Sequence, residues 1–265
     1  MFLTRVLTAA VLLAAFVSAV WFLERDAIVM LAAAFIAVGG FEWASLNKSG
    51  RTMAVAYGLL CALLVAGLAQ FDWLAPWICG VAAAFWFLAA PLWLARGFDA
   101  CPLSLMPAAG VVVLVPAGLA MSALGREQVL MLLGLVWIAD TAAYLAGRTF
   151  GKHKLAPVIS PGKTWEGVAG AVGATIIYAI IWAQFYPGLA MRVHGTAWVL
   201  YLAAALLLLA VSVIGDLLES AAKRRAGAKD SGNLLPGHGG ILDRIDSATA
   251  ALPVALLLMT LTGTT

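Results

Sequence analysis

Hydrophobic positions fall in long runs along the whole chain, broken by short polar interruptions. A helix that crosses a bilayer needs about 20 apolar residues. Read at that length, the pattern predicts helices over Leu7–Leu23, Ala27–Leu46, Thr52–Ala69, Trp73–Ala95, Pro107–Leu124, Val129–Ala146, Val168–Tyr186 and Thr196–Leu218, with a ninth from Ile241 to Leu261. Pro116 interrupts the fifth run. The ninth is purely apolar only over Ala248–Leu261. It reaches membrane length if its first turns carry Asp243, Arg244 and Asp246, and ionisable residues there should face a wet cavity. No small-residue cleavage pattern precedes Glu24-Arg25 and further runs follow, so the first run reads as a span rather than a signal peptide.

Composition agrees with this reading. Of 265 residues, 64% are apolar and 11% charged, where a soluble domain carries roughly 25% charged. The expected fold is an all-α polytopic integral membrane protein with about nine transmembrane helices. Residues 1–128 would supply about five N-terminal spans. Residues 129–265 would form a catalytic region of about four spans, with polar loops at 147–167 and 221–240. No soluble domain, internal repeat or nucleic-acid partner is expected. Cys61, Cys79 and Cys101 are odd in number and lie in or beside apolar runs without a CxxC pair, which argues against disulfides and thiolate metal sites.

Charge sets the orientation. With nine spans, thirteen of the sixteen Lys and Arg residues share the side that holds the N-terminus and the loops after spans two, four, six and eight. Only Arg25, Arg126 and Arg192 lie opposite. The positive-inside rule then places the N-terminus and both long polar loops in the cytoplasm, as expected for a protein of the cytoplasmic (inner) membrane.

Ionisable residues inside a membrane protein are the first functional candidates. Asp140 lies in the sixth span, Asp216 and Glu219 near the cytoplasmic end of the eighth, and Asp243 and Asp246 at the start of the ninth. Asp216, Glu219, Ser220 and Lys223 share one helical face, as do Asp243 and Asp246. Clustered carboxylates need positive charge between them, and Mg²⁺ with substrate phosphates would supply it. Internal pairing is the alternative: Asp243 with Arg244, Glu219 with Lys223, and Asp216 in a hydrogen bond between helices. Glu42, alone near the end of the second span, reads as structural or interfacial.

Basic groups and glycines follow the acids. Lys223 continues the acidic face, suiting a cation poised over a phosphate. Arg224, Arg225 and Lys229 come next, then Pro236-Gly237-His238-Gly239-Gly240 before the ninth helix. Glycines permit positive φ and close backbone approach, and amides at a helix start bind anions. His238, set among glycines beside carboxylates, reads as functional. Gly162-Lys163-Thr164 resembles the end of a phosphate-binding loop, but Pro157 stands where the first glycine belongs and no strand is expected before it. A lysine and a hydroxyl near a helix start remain, suited to a phosphate. The residues by themselves point to a metal-dependent phosphate or phosphoryl site facing the cytoplasm.

Ser220-Ala-Ala-Lys223-Arg224, Lys229-Asp230, His238-Gly239-Gly240 and Asp243-Arg244-Ile245-Asp246 together resemble the signature of the phosphatidate cytidylyltransferases, or CDP-diacylglycerol synthases. Gly215-Asp216-Leu217 fits as well, and so do pieces of Asp140–Gly167, including Ser160-Pro161-Gly162-Lys163-Thr164. Ala222 departs from the larger aliphatic residue expected there. The first five spans match only in being hydrophobic. The resemblance implies that CTP and phosphatidate give CDP-diacylglycerol and pyrophosphate with Mg²⁺ present, in phospholipid biosynthesis. It further implies that Asp216 and Asp243 hold metal, completed by Asp246 and Glu219, and that Lys163, Lys223 and Arg244 clamp phosphates. His238 joins the catalytic set, and Thr164, Arg224, Lys229, Gly239 and Gly240 the nucleotide-binding one. A monovalent second cation and a homodimer are compatible with it. The competing readings are a CTP-dependent polyprenol or phytol kinase, a CDP-alcohol phosphotransferase, and an ion-coupled transporter. The phosphotransferase lacks its Asp-Gly pattern here, and the transporter would place its acids near the midplane.

Overall fold

The computed structural model describes residues 2–98, 101–234 and 239–263. His238 and the preceding Pro236-Gly237 lie outside the described residues. The described residues form nine long helices: α1 (Phe2–Phe22), α2 (Arg25–Leu46), α3 (Arg51–Leu68), α4 (Asp72–Arg96), α5 (Leu103–Ala123), α6 (Arg126–Phe150), α7 (Trp165–Phe185), α8 (Ala197–Ala226) and α9 (Leu242–Leu261). Among the described residues, α2 to α9 are each long and apolar enough to cross a membrane. The all-α polytopic membrane architecture is therefore observed, and each helix overlaps a predicted run, with α8 running past its predicted end at Leu218 to Ala226.

Proline positions leave visible marks. Pro91 cannot donate an amide hydrogen and its ring crowds the preceding turn, and α4 widens into a π-turn over Phe85–Ala89 just before it. Pro116 does not break α5, which continues to Ala123 with the proline buried. Its own carbonyl lies 3.8 Å from the Cys79 thiol of α4.

Two boundaries differ from expectation and matter for the site. The first polar loop is shorter than 147–167, because α6 runs on to Phe150, and it is not structureless. Strands β1 (Lys154–Ala156) and β2 (Ser160–Thr164) form a small antiparallel hairpin with an irregular register, pairing Lys154 with Thr164 and Ala156 with Ser160. The second loop is shorter than 221–240, because α8 continues to Ala226 and ends on Gly227 in the left-handed conformation (φ 73°). At 30 residues, α8 is about 45 Å long, some 15 Å more than the hydrocarbon core.

The main buried core among the described residues runs from Val20 to Leu256 and draws on both halves of the chain. Helix α9 packs against α4, α5 and α8, so the last span sits among the earlier ones. Large apolar side chains such as Leu63, Trp77, Leu88, Phe185 and Leu200 point outward. In water such a surface would aggregate, while in lipid it is the expected contact.

Candidate functional site

Helices α8 and α9 cross where Gly215 meets Asp246. A Cβ on Gly215 would stand 2.7 Å from the Asp246 carbonyl oxygen and 3.0 Å from the Ala250 Cβ. The missing side chain lets the two backbones touch, and it sets Asp216 beside Asp246. Asp140 on α6 and Lys163 on β2 complete this group: Asp140 and Asp246 each feel the charges of Asp216 and Lys163. The Lys163 ammonium lies 2.6 Å from Asp216 Oδ2, and the Ser220 hydroxyl donates to Oδ1 at 3.2 Å. Asp216 and Asp246 are half-buried, and Asp140 is open to the surroundings.

The hairpin is fastened so that Lys163 can reach in. Thr164 caps α7, its hydroxyl oxygen accepting from the Gly167 amide at 3.1 Å. Glu166 accepts from the Lys152 and His153 amides at 3.1 and 3.2 Å and pairs with His153 Nδ1 at 2.6 Å. From the other side, Arg224 Nε donates to the Ile159 carbonyl at 3.2 Å. Thr164, expected to touch a phosphate, is 4% exposed. Its hydroxyl oxygen is engaged as the cap of α7. Arg224 also stitches the chain together here, with a second bond to the Ala228 carbonyl at 3.2 Å.

A second acidic group lies one turn further along α8. Lys223 Nζ is 2.5 Å from Glu219 Oε2 and 2.6 Å from Asp243 Oδ1. Both acids are almost sealed, with side-chain exposures of 4% and 8%. Of the internal pairings considered from sequence, Glu219 with Lys223 forms. Lys223 is therefore not poised over open space: clustered carboxylates have found a cation, and it is the chain's own. Asp243 is held further by Ser231, whose amide and hydroxyl reach Oδ2 at 2.9 and 3.0 Å, and by the Gly240 amide at 2.8 Å.

The start of α9, expected to receive a substrate anion, receives two protein carboxylates instead. Asp243 takes the Gly240 amide, and Glu42 of α2 takes those of Ile241 and Leu242 at 3.1 and 2.7 Å. Gly239 has φ of 80°, and a Cβ there would stand 2.7 Å from Asp243 Oδ2, so only glycine suits it. Arg244 and Lys229 are exposed nearby, on α9 and on the loop after α8. Ser231 was missed by sequence reasoning, which read Glu42 as structural or interfacial. Glu42 is 2% exposed rather than interfacial, and nothing local in the sequence marks its partners.

The donor set suits a hard cation. Among the described residues, no three His, Cys, Asp or Glu side chains already stand at ion-binding spacing. Mg²⁺ needs only one or two carboxylates, with phosphates and water completing its shell. Asp216 and Asp246, neighbours across the α8–α9 crossing, can supply that number.

Residues 3–262 match the model of the cytidylyltransferase family. The chain belongs to that family. A phosphatidate cytidylyltransferase of Pseudomonas aeruginosa is 38% identical over 276 residues, an alignment that covers 98% of this chain and 97% of that protein. Proteins of the same name from Haemophilus influenzae and Staphylococcus epidermidis are 50% and 44% identical over 119 and 135 residues, covering 45% and 51% of this chain and 41% and 50% of theirs. This cytidylyltransferase is thus a membrane-embedded nucleotidyltransferase whose acidic residues gather where α6, α8, α9 and the hairpin meet.

Proposed function

We propose that this cytidylyltransferase joins CTP to phosphatidate, forming CDP-diacylglycerol and pyrophosphate, in phospholipid biosynthesis. The observation that carries the reading is the convergence of Asp140, Asp216 and Asp246 with Lys163, in a chain matched end to end by a phosphatidate cytidylyltransferase. A phosphate oxygen of phosphatidate attacks the α-phosphorus of CTP. The bond from that phosphorus to the β-phosphate bridge breaks, and pyrophosphate leaves with the bonding pair.

Two polyanions must meet for this step, so the chain has to cancel charge and align the groups. Lys163 sits on a hairpin at the edge of the acids and is partly exposed, which suits exchange of Asp216 for a substrate phosphate. Arg244 and Lys229, exposed beside the same helix ends, would receive the triphosphate. Asp216 and Asp246 would hold Mg²⁺, with Asp140 beside them. When bound, Mg²⁺ neutralises charge building on the attacking and leaving oxygens. Glu219, Lys223 and Asp243 would fix the geometry of the α8 and α9 ends from beneath. The excess of Lys and Arg on this side supports a cytoplasmic face for the site and the inner membrane as its location.

Turnover in detergent with labelled CTP, phosphatidate and Mg²⁺ tests the reading. A CDP-lipid with one pyrophosphate released per turnover is expected. Release of CDP with a phosphorylated lipid alcohol would show a kinase instead.

A further inference from the structure

We infer that Glu42 is a positioning residue of the acidic site, a carboxylate lent by α2 that sets the start of α9 and, through Ser231, the orientation of Asp243. The inference rests on the reading of that site as the reaction centre.

Both oxygens of Glu42 are used as acceptors. Oε1 takes the Ile241 amide at 3.1 Å, and Oε2 takes the Leu242 amide at 2.7 Å and the Ser231 hydroxyl at 3.0 Å. A carboxylate against the first amides of a helix is favoured by the unpaired N–H groups and the helix dipole. The same Ser231 oxygen stands 3.0 Å from Asp243 Oδ2. A hydroxyl has one proton to give, so Ser231 links the two acids by sharing one donor between them. The approach has been made room for: a Cβ on Gly232 would stand 2.5 Å from Glu42 Oε1, and one on Gly240 would stand 2.5 Å from both oxygens. Glu42 comes from a part of the chain 189 to 200 residues away from these partners. The early spans therefore contribute to the site by holding the helix that carries Asp243 and Asp246.

Glu42→Gln separates positioning from bulk packing. Glutamine has the same shape, but its NH₂ would face groups that are themselves donors. The variant should fold, elute from gel filtration like wild type, and lose at least about tenfold in kcat per folded molecule. KM for CTP should change by less than about threefold, as expected when alignment rather than uniform binding is lost. Amide hydrogen exchange at Ile241 and Leu242 should speed up while the rest of α9 keeps its protection. A purely structural Glu42 would lower the yield of folded enzyme without changing kcat or loosening this helix start selectively. A folded variant with wild-type kcat, or with unchanged exchange at those two amides, overturns the assignment. Should glutamine prevent folding, Ser231→Ala replaces it: reduced kcat supports the link to Asp243, and wild-type kcat ends it. Wild-type enzyme that releases no pyrophosphate from CTP and phosphatidate defeats the proposed reaction instead, and exchange then decides whether Glu42 holds α9.

Discussion

The two lysine–carboxylate groups of this cytidylyltransferase are close in space and opposite in character. Around Lys163 and Asp216 the side chains are 23% and 27% exposed, and the lysine rides on a surface hairpin. Around Lys223 the exposures fall to 12%, 4% and 8%, and all three residues stand on two packed helices. A partly exposed ion pair is screened by water more than a sealed one and holds its partners less firmly. A buried one is locked, because removing either partner leaves a charge without compensation. The open group is thus suited to trading its internal partners for substrate, and the sealed one to keeping the helix ends in place.

That contrast can be broken most severely at Asp216. Asp216→Asn should lower turnover by about a thousandfold or more with folding preserved, since several kcal/mol of charge stabilisation at the reacting phosphates is lost. A variant that keeps more than about a tenth of the wild-type rate would remove Asp216 from the metal set. Lys223→Met should act in the other currency, stability. Leaving Glu219 and Asp243 buried without their cation should cost about 3–5 kcal/mol, read as a lowered midpoint of unfolding in detergent. Lys163→Ala should cost about a hundredfold in kcat/KM, comparable with loss of one electrostatic contact to a reacting centre, and should leave the unfolding midpoint nearly unchanged. A large loss of stability there would merge the two groups into one. The smallest effect is expected from Thr164→Val, about 1 kcal/mol of stability for a lost helix cap, with KM for CTP unaltered.

The membrane architecture was readable because a run of some 20 apolar residues has few other uses. Element ends were less so: α8 passes Leu218 to Ala226 through Glu219, Ser220, Lys223 and Arg224, where polarity imitates a loop. The hairpin left no trace because strands of three and five residues, Lys-Leu-Ala and Ser-Pro-Gly-Lys-Thr, are too short to show alternation. For the site, helical spacing put Asp216 with Glu219 and Asp243 with Asp246, whereas the structure parts both pairs, setting Asp216 by Lys163 and both Glu219 and Asp243 on Lys223. Spacing could not say which cation would lie among them. Pairing Lys223 with Asp243 is a property of how α8 meets α9, and Glu42 meets its partners across 189 to 200 residues of sequence.

Helix α8 has one further consequence. Asp216, Glu219 and Lys223 stand on the same unbroken rod as Arg224, held by the hairpin at Ile159, and Arg225, held by the carbonyls of Phe98 and Cys101 at 3.3 and 2.8 Å. A rigid helix cannot stretch between these points. A displacement of either surface loop that carries its arginine along would therefore bear on the helix that also carries the acids.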